Sequence, residues 1–243
     1  MNPEYFFDGQ LFESQEEWEK AFATDPDGTV ERLAKMQKSL EEEFSEQPTD
    51  ALDPEPLRDL ITSCREALNK LLASLPTDLG IFPTEDEKRA VLAPVSNFSA
   101  QLNELLTPFW ELYHSLERDC NLLGALSAKA QKAQSALFVA FSASKKFGLA
   151  IALGEILGDC VCTTDSISSD LRDRYKLHEA LNDLYHSFFC EFLEKLVEAA
   201  DIEHEGASAS PVKIYELCGG ARATLRLIEN RMFPRSFLEF PLA

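Results

Sequence analysis

The chain has 243 residues, of which 45% are hydrophobic and 27% charged, and its net charge is −19. That length and apolar content allow one large domain or two small ones with a real core. The charge disfavours nucleic acid and anionic membrane as primary partners, because both are polyanions, and suits a basic protein surface or plain solubility.

The opening MNPEYFFDGQLF lacks a basic start and an apolar core of useful length, so no signal peptide is expected in it. The best apolar run, Ala136 to Ser144, is halted by Lys145 and Lys146, well short of the ~20 residues a bilayer-spanning helix needs. Six cysteines (Cys64, Cys120, Cys160, Cys162, Cys190 and Cys218) follow no framework spacing. They read as reduced thiols of a cytosolic or nuclear protein, several of them core-filling.

The aromatics Tyr5, Phe6, Phe7 and Phe12 have no clear period, and no strand alternation is expected anywhere. Ser14 and Glu17 have the capping-box spacing, which predicts a short helix to about Phe22. Asp25-Pro-Asp-Gly28 reads as a turn, since Pro fixes φ and Gly tolerates positive φ. Val30, Leu33, Met36, Leu40 and Phe44 then recur at helical spacing, and Pro48 ends that helix near Gln47. Residues 48–56, PTDALDPEP, have a linker composition.

The next helix carries the clearest stripe of the chain: Leu57, Leu60, Ile61, Cys64, Leu68, Leu71, Leu72 and Leu75. Thr84 and Glu87 make a second capping box after Pro76, Gly80 and Pro83. Pro94 and Pro108 fall inside helical pattern, and each should kink or break it, giving pieces near 85–93, 95–107 and 108–158. Within the last piece, Leu122 to Leu157 is Ala-rich and apolar most of the way round. It is expected to be a central helix buried on several sides, with break points at Gly124 or Gly148. Gly158 to Asp165 reads as a loop. A helix should follow over about 168–201 and another over about 211–232, the latter opened by Ser210-Pro211 and weakened at Gly219-Gly220.

The expected fold is all-α: a bundle of about seven helices around the 122–157 helix. Residues 1–47 form an acidic helical segment, a hairpin packed on the main body; 48–56 is a linker; 57–233 is the bundle; 234–243 is an apolar tail.

Chemical signals are sparse. Glu111-Leu-Tyr-His114 and Asp183-Leu-Tyr-His186 each place a carboxylate and an imidazole three residues apart, as in di-iron bundles. Both carboxylates sit beside the apolar stripe rather than in it, so ordinary hydrogen-bonding histidines are the plainer reading. Cys160-Val-Cys162 lacks the second pair that a zinc site needs. Gly219-Gly220-Ala-Arg222 lacks the spacing of a phosphate loop. Asp170 and Asp173 lie beside Arg172 and Arg174, which fits surface ion pairs. No nucleophile elbow is readable.

Charge asymmetry and the termini say more. Residues 1–60 hold 17 acidic and 5 basic side chains. Glu41, Glu42, Glu43 and Glu46 form the densest run, either a solvated face or a steering surface for a basic partner. Phe237, Leu238 and Phe240 make the tail either a segment folded onto the bundle or a short motif for a partner's groove. The expected function is therefore a non-enzymatic interaction module, an adaptor, scaffold or regulatory protein, that binds another protein and needs no cofactor. A carboxylate–histidine metalloprotein is one alternative. A carrier of an apolar ligand between Phe138, Phe141, Phe188 and Phe192 is the other. Nothing in the sequence sets the oligomeric state.

Overall fold

A computed structural model describes residues 5–7, 10–12, 20, 23–46, 53–75, 85–144, 147–200 and 211–233. The elements are β1 (Tyr5–Phe7), β2 (Gln10–Phe12), α1 (Pro26–Glu46), α2 (Glu55–Ser74), α3 (Glu85–Ala143), α4 (Phe147–Leu184), a π-helical segment (Tyr185–Phe192), α5 (Leu193–Ala200) and α6 (Pro211–Met232). The π segment joins α4 to α5 without a break, so the described residues form five long helical runs and not about seven. The all-α class holds. The one departure is the small antiparallel pairing of β1 with β2, Tyr5 opposite Phe12, where no strand was expected. Asp8-Gly9 between two aromatic-rich triplets is the sequence signal for such a hairpin.

The chain forms two compact units: Met1–Leu52 with Arg118–Tyr175, and Asp53–Glu117 with Lys176–Ala243. One boundary, Leu52/Asp53, falls in the 48–56 stretch. The other two fall inside α3 and α4, so both helices contribute to both units. The capping boxes at 14–17 and 84–87 and the apolar tail lie wholly or in part outside the described residues.

In the first unit, α1 starts earlier than the turn signal implied. The Asp25 carboxylate accepts the Gly28 N–H at 3.1 Å, and the Asp25 carbonyl accepts the Thr29 N–H at 3.1 Å. Asp25-Pro-Asp-Gly28 is thus an N-cap with proline at the first helical position, where its missing N–H costs nothing. Leu33 of α1 lies in one cluster with Ala133, Leu137 and Ala140 of α3 and Leu153 and Cys160 of α4, and Leu40 in another with Leu123, Leu126 and Ala130 of α3 and Ile167 of α4. Ala130, Ala133 and Ala140 supply the small side chains of these clusters.

The Ala-rich stretch is not one helix, however. It ends at Ala143 and restarts at Phe147, close to the Gly148 break point, while α3 passes Gly124 unbroken. The expected loop at Gly158–Asp165 is also helical. Thr163, Thr164 and Ser166 turn their hydroxyls back onto the carbonyls of Asp159, Cys160 and Cys162, so they do not compete with the helix by bonding elsewhere. Burial of Cys160 and Ile167, and a 3.0 Å bond from Gln37 Nε2 to Thr163 Oγ1, hold that turn from the other side.

The prolines do not divide α3 either. Pro94 and Pro108 lie inside it. The carbonyls each proline deprives of a donor belong to Ala90 and Glu104, both exposed, so water can take the place of the lost bond.

In the second unit the α2 stripe is buried as expected, with Leu57, Leu60, Ile61, Cys64, Leu68 and Leu71 all in the core. Asp53 opens that helix by accepting the Glu55 N–H at 2.9 Å. Phe98 and Phe109 of α3 and Phe188, Phe189 and Phe192 of the π segment are buried together. Ile214, Cys218, Ala221, Leu225 and Ile228 give α6 one buried face. Cys218 and Ala221 anchor both sides of Gly219-Gly220, which stays helical. Arg65 of α2 pairs with Glu229 of α6 at 2.5 Å, and Arg222 donates to Asn69 at 2.7 Å. Among the described residues, no helix is long and apolar enough to cross a membrane.

Candidate functional site

The two carboxylate–histidine pairs both lie in the second unit, one on α3 and the other spanning the end of α4 (Asp183) and the π segment (His186). The histidines are not the residues this motif brings together. His114 is exposed, with Nδ1 3.4 Å from Glu117 and its ring stacked on Trp110 at 5.7 Å. Glu111 and His186 are exposed too. Asp183 accepts from Arg231 of α6 at 2.9 Å, and Arg231 also pairs with Glu179 at 2.5 Å. Those two acids hold the Arg231 guanidinium above its ordinary pKa, the hydrogen bond to Glu179 contributing most. Asp183 is therefore engaged in helix pairing. Among the described residues, no group of three or more His, Cys, Asp and Glu is placed to hold a metal.

The tyrosines of the repeated Leu-Tyr-His motif do converge. Tyr113 and Tyr185 both pack on Phe109, at 6.0 and 5.4 Å, and on Trp110, at 5.5 and 5.1 Å. The echo thus marks an aromatic contact between α3 and the first residue of the π segment. His178, which carries no motif, sits inside this cluster with its ring 4.6 Å from Tyr113. Its Nδ1 lies 3.3 Å from Asn182 Nδ2, and its Nε2 is buried without a partner. If the amide donates, the proton sits on Nε2. A hydrogen bond with Cys190 holds the Tyr185 phenol above its ordinary pKa. π turns are uncommon and concentrate at functional positions, which makes this the most distinctive local geometry among the described residues. Only the doubled Leu-Tyr-His could have pointed to it from sequence.

The acidic run lies at the end of α1 in the first unit. Glu41 accepts from Gln37 at 3.0 Å, Glu42 lies 3.6 Å from Lys38, and Glu43 accepts twice from Lys129 of α3 at 2.8 Å. Glu46 is exposed. Part of the run therefore ties α1 to its own unit. Phe237, Leu238 and Phe240 lie outside the described residues.

The four phenylalanines of the carrier reading separate. Phe138 and Phe141 are exposed in the first unit, and Phe188 and Phe192 are core residues of the second. Phe138 and Phe141 lie three residues apart on one face of α3, 60% and 40% exposed. A methyl added at Gly154 of α4 would sit 3.4 Å from the Phe141 ring, so the missing side chain lets that ring lie against α4. Ile151, one turn before Gly154 on α4, is 49% exposed.

All six cysteines are free thiols. Cys160 is buried and Cys162 exposed, and two residues apart on a helix they face different ways. Burial pushes Cys64 up to about 12 and Cys218 up to about 11, and it also raises Cys120 and Cys160. These four are thiols, not thiolates, at neutral pH, and so poor nucleophiles.

Comparison with family models, curated proteins and solved structures gives no match to the chain.

Proposed function

We propose that this chain is a non-enzymatic protein–protein interaction module, an adaptor, scaffold or regulatory protein. The observation that carries the reading is the exposed group Phe138, Phe141 and Ile151 on neighbouring helices of one unit. Large aromatic side chains left in water at helical spacing are the usual anchors of a docking surface. The net charge of −19 favours a partner whose own apolar anchor is ringed by basic residues, with attraction speeding encounter and weakening in salt. Glu46 and the outward parts of Glu41 and Glu42 supply such charge on the same unit.

The test is affinity capture of the tagged chain from its own cells, at low and high salt, beside a Phe138→Ser/Phe141→Ser variant and a Glu41→Lys/Glu42→Lys variant. Circular dichroism confirms that each remains helical. A partner recovered near stoichiometry, lost with the phenylalanine variant and reduced by the charge variant, supports the proposal. A partner retained equally by all three proteins refutes it.

A further inference from the structure

We infer that α1 is a releasable cover over an apolar groove of α3 and α4, and that the groove docks an amphipathic helix of a partner in α1's place. The groove is lined by Leu123, Leu126 and Leu137 of α3 and by Leu153, Cys160 and Ile167 of α4. α1 fills it with Leu33, 1% exposed, and Leu40, 5% exposed. At about 100° per residue Thr29 and Gln37 share that face, and both are buried. Half of the covering helix's buried positions are therefore polar.

Gln37 is the weak point of the seam. Its Nε2 donates to Glu41 Oε1 and to Thr163 Oγ1, each at 3.0 Å, while its Oε1 is buried with no hydrogen-bond partner. Turning the amide over sets its oxygen against the Glu41 carboxylate and leaves the nitrogen orphaned instead. In water the same group is fully satisfied, so the amide favours release. Neither partner depends on it: Thr163 Oγ1 also donates to the Asp159 carbonyl at 3.0 Å, and Glu41 is exposed. Glu41, Glu42, Glu43 and Glu46 crowd the C-terminal end of α1, with no basic residue in its last turn. The helix dipole disfavours negative charge there.

Release has a defined extent. Among the described elements, α1 is the one long helix contained wholly in the first unit. α3 and α4 run on into the second unit, where Phe98 and Phe109 of α3 and Leu181 and Leu184 of α4 are buried. The two helices also meet beneath α1, with Cys160 Sγ 4.0 Å from the Ala130 carbonyl. α1 can therefore unfold locally as a unit while the groove stays formed. The occupant follows from the helix already seated there. It has large apolar residues at the levels of Leu33 and Leu40. A partner helix that is apolar at the Gln37 level as well, and free of acids at its C-terminal end, lacks both of α1's handicaps and displaces it.

Hydrogen exchange of the full chain, read by mass spectrometry, tests release. The amides of α1 should exchange through an opening roughly a hundredfold more populated than the one that exposes α2 or α6. Gln37→Leu should reduce that opening roughly tenfold, because it removes the orphaned oxygen. Docking is tested with a fluorescent peptide of residues 25–46 that carries the same Gln37→Leu change. Its anisotropy is followed against the full chain up to about 100 µM, since it competes with a tethered helix. The peptide should bind the original chain roughly tenfold more tightly than a chain with Gln37→Leu in its own α1, where the groove is less often open. A Phe138→Ser/Phe141→Ser chain should bind it unchanged, which separates this groove from the surface proposed above. Exchange of α1 in step with α2 and α6 overturns the inference, as does faster α1 exchange in Gln37→Leu. Absence of binding, equal binding to both chains, or loss of binding in the phenylalanine variant overturns the groove as the docking site.

Discussion

Arg174 should be easier to remove than its partner. It is 5% exposed, with Nε 3.6 Å from Asp119 and Nη1 3.9 Å from Asp170. Those separations are long for ion pairs, and Nε is buried without a hydrogen bond. A buried guanidinium loses several kcal/mol of hydration, which only close, well-aligned partners repay. In Arg174→Met the cation is gone and its volume refilled. The aspartates, with side chains 30% and 40% exposed, recover their hydration. Stability should stay within about 1 kcal/mol of the original. In Asp119→Ala the guanidinium stays buried with only the longer contact. Breaking a buried pair costs ~3–5 kcal/mol, and the partial exposure of Asp119 brings this to about 2 kcal/mol, roughly a thirtyfold change in the folding equilibrium. Urea denaturation followed by circular dichroism measures both variants. A larger loss for Arg174→Met than for Asp119→Ala would refute the reasoning and make Arg174 a net source of stability.

Three further outcomes are expected. Gly124 lies in mid-helix with nothing within 4 Å of an added methyl, so Gly124→Ala should raise stability by about 0.5–1 kcal/mol, read as a higher thermal midpoint. Burial raises Cys64 from 9.0 to about 12. The folded thiol thus stays protonated while the unfolded one ionises, and the stabilisation is complete below pH 9.0 and lost as pH climbs toward 12. The loss approaches ~1.4 kcal/mol per pH unit for this thiol; urea midpoints at pH 8 and 10 should differ less in Cys64→Ala, and an unchanged difference would contradict the assignment. A thiol reagent added to the native protein should label Cys162 and Cys190 rapidly and reach the four buried cysteines only on unfolding, a count that mass spectrometry gives directly.

Side-chain periodicity carried the helical class because it is a local property. The α2 stripe from Leu57 to Leu75 reads directly from spacing and is buried as read except at Leu72, which is half-buried. That one helix ends at Ala143 and the next begins at Phe147 was legible too, within a few residues of Gly148. What the sequence could not supply was the outcome where local signals compete with tertiary ones. Pro94 and Pro108 stay inside α3, where the residues whose carbonyls they deprive of a donor, Ala90 and Glu104, are exposed. The Gly158–Asp165 stretch becomes helix because Cys160 and Ile167 gain burial and its hydroxyls fold back on their own turn. The doubled Leu-Tyr-His motif was visible, but not which of its residues mattered. Only the assembled second unit turns both tyrosines onto Phe109 and Trp110 and leaves both histidines in water. The exposure of Phe138 and of the outer face of α6 is likewise a tertiary result: an apolar residue at helical spacing is the same letter whether a neighbour covers it or not, and only the packing of distant segments decides which faces stay open.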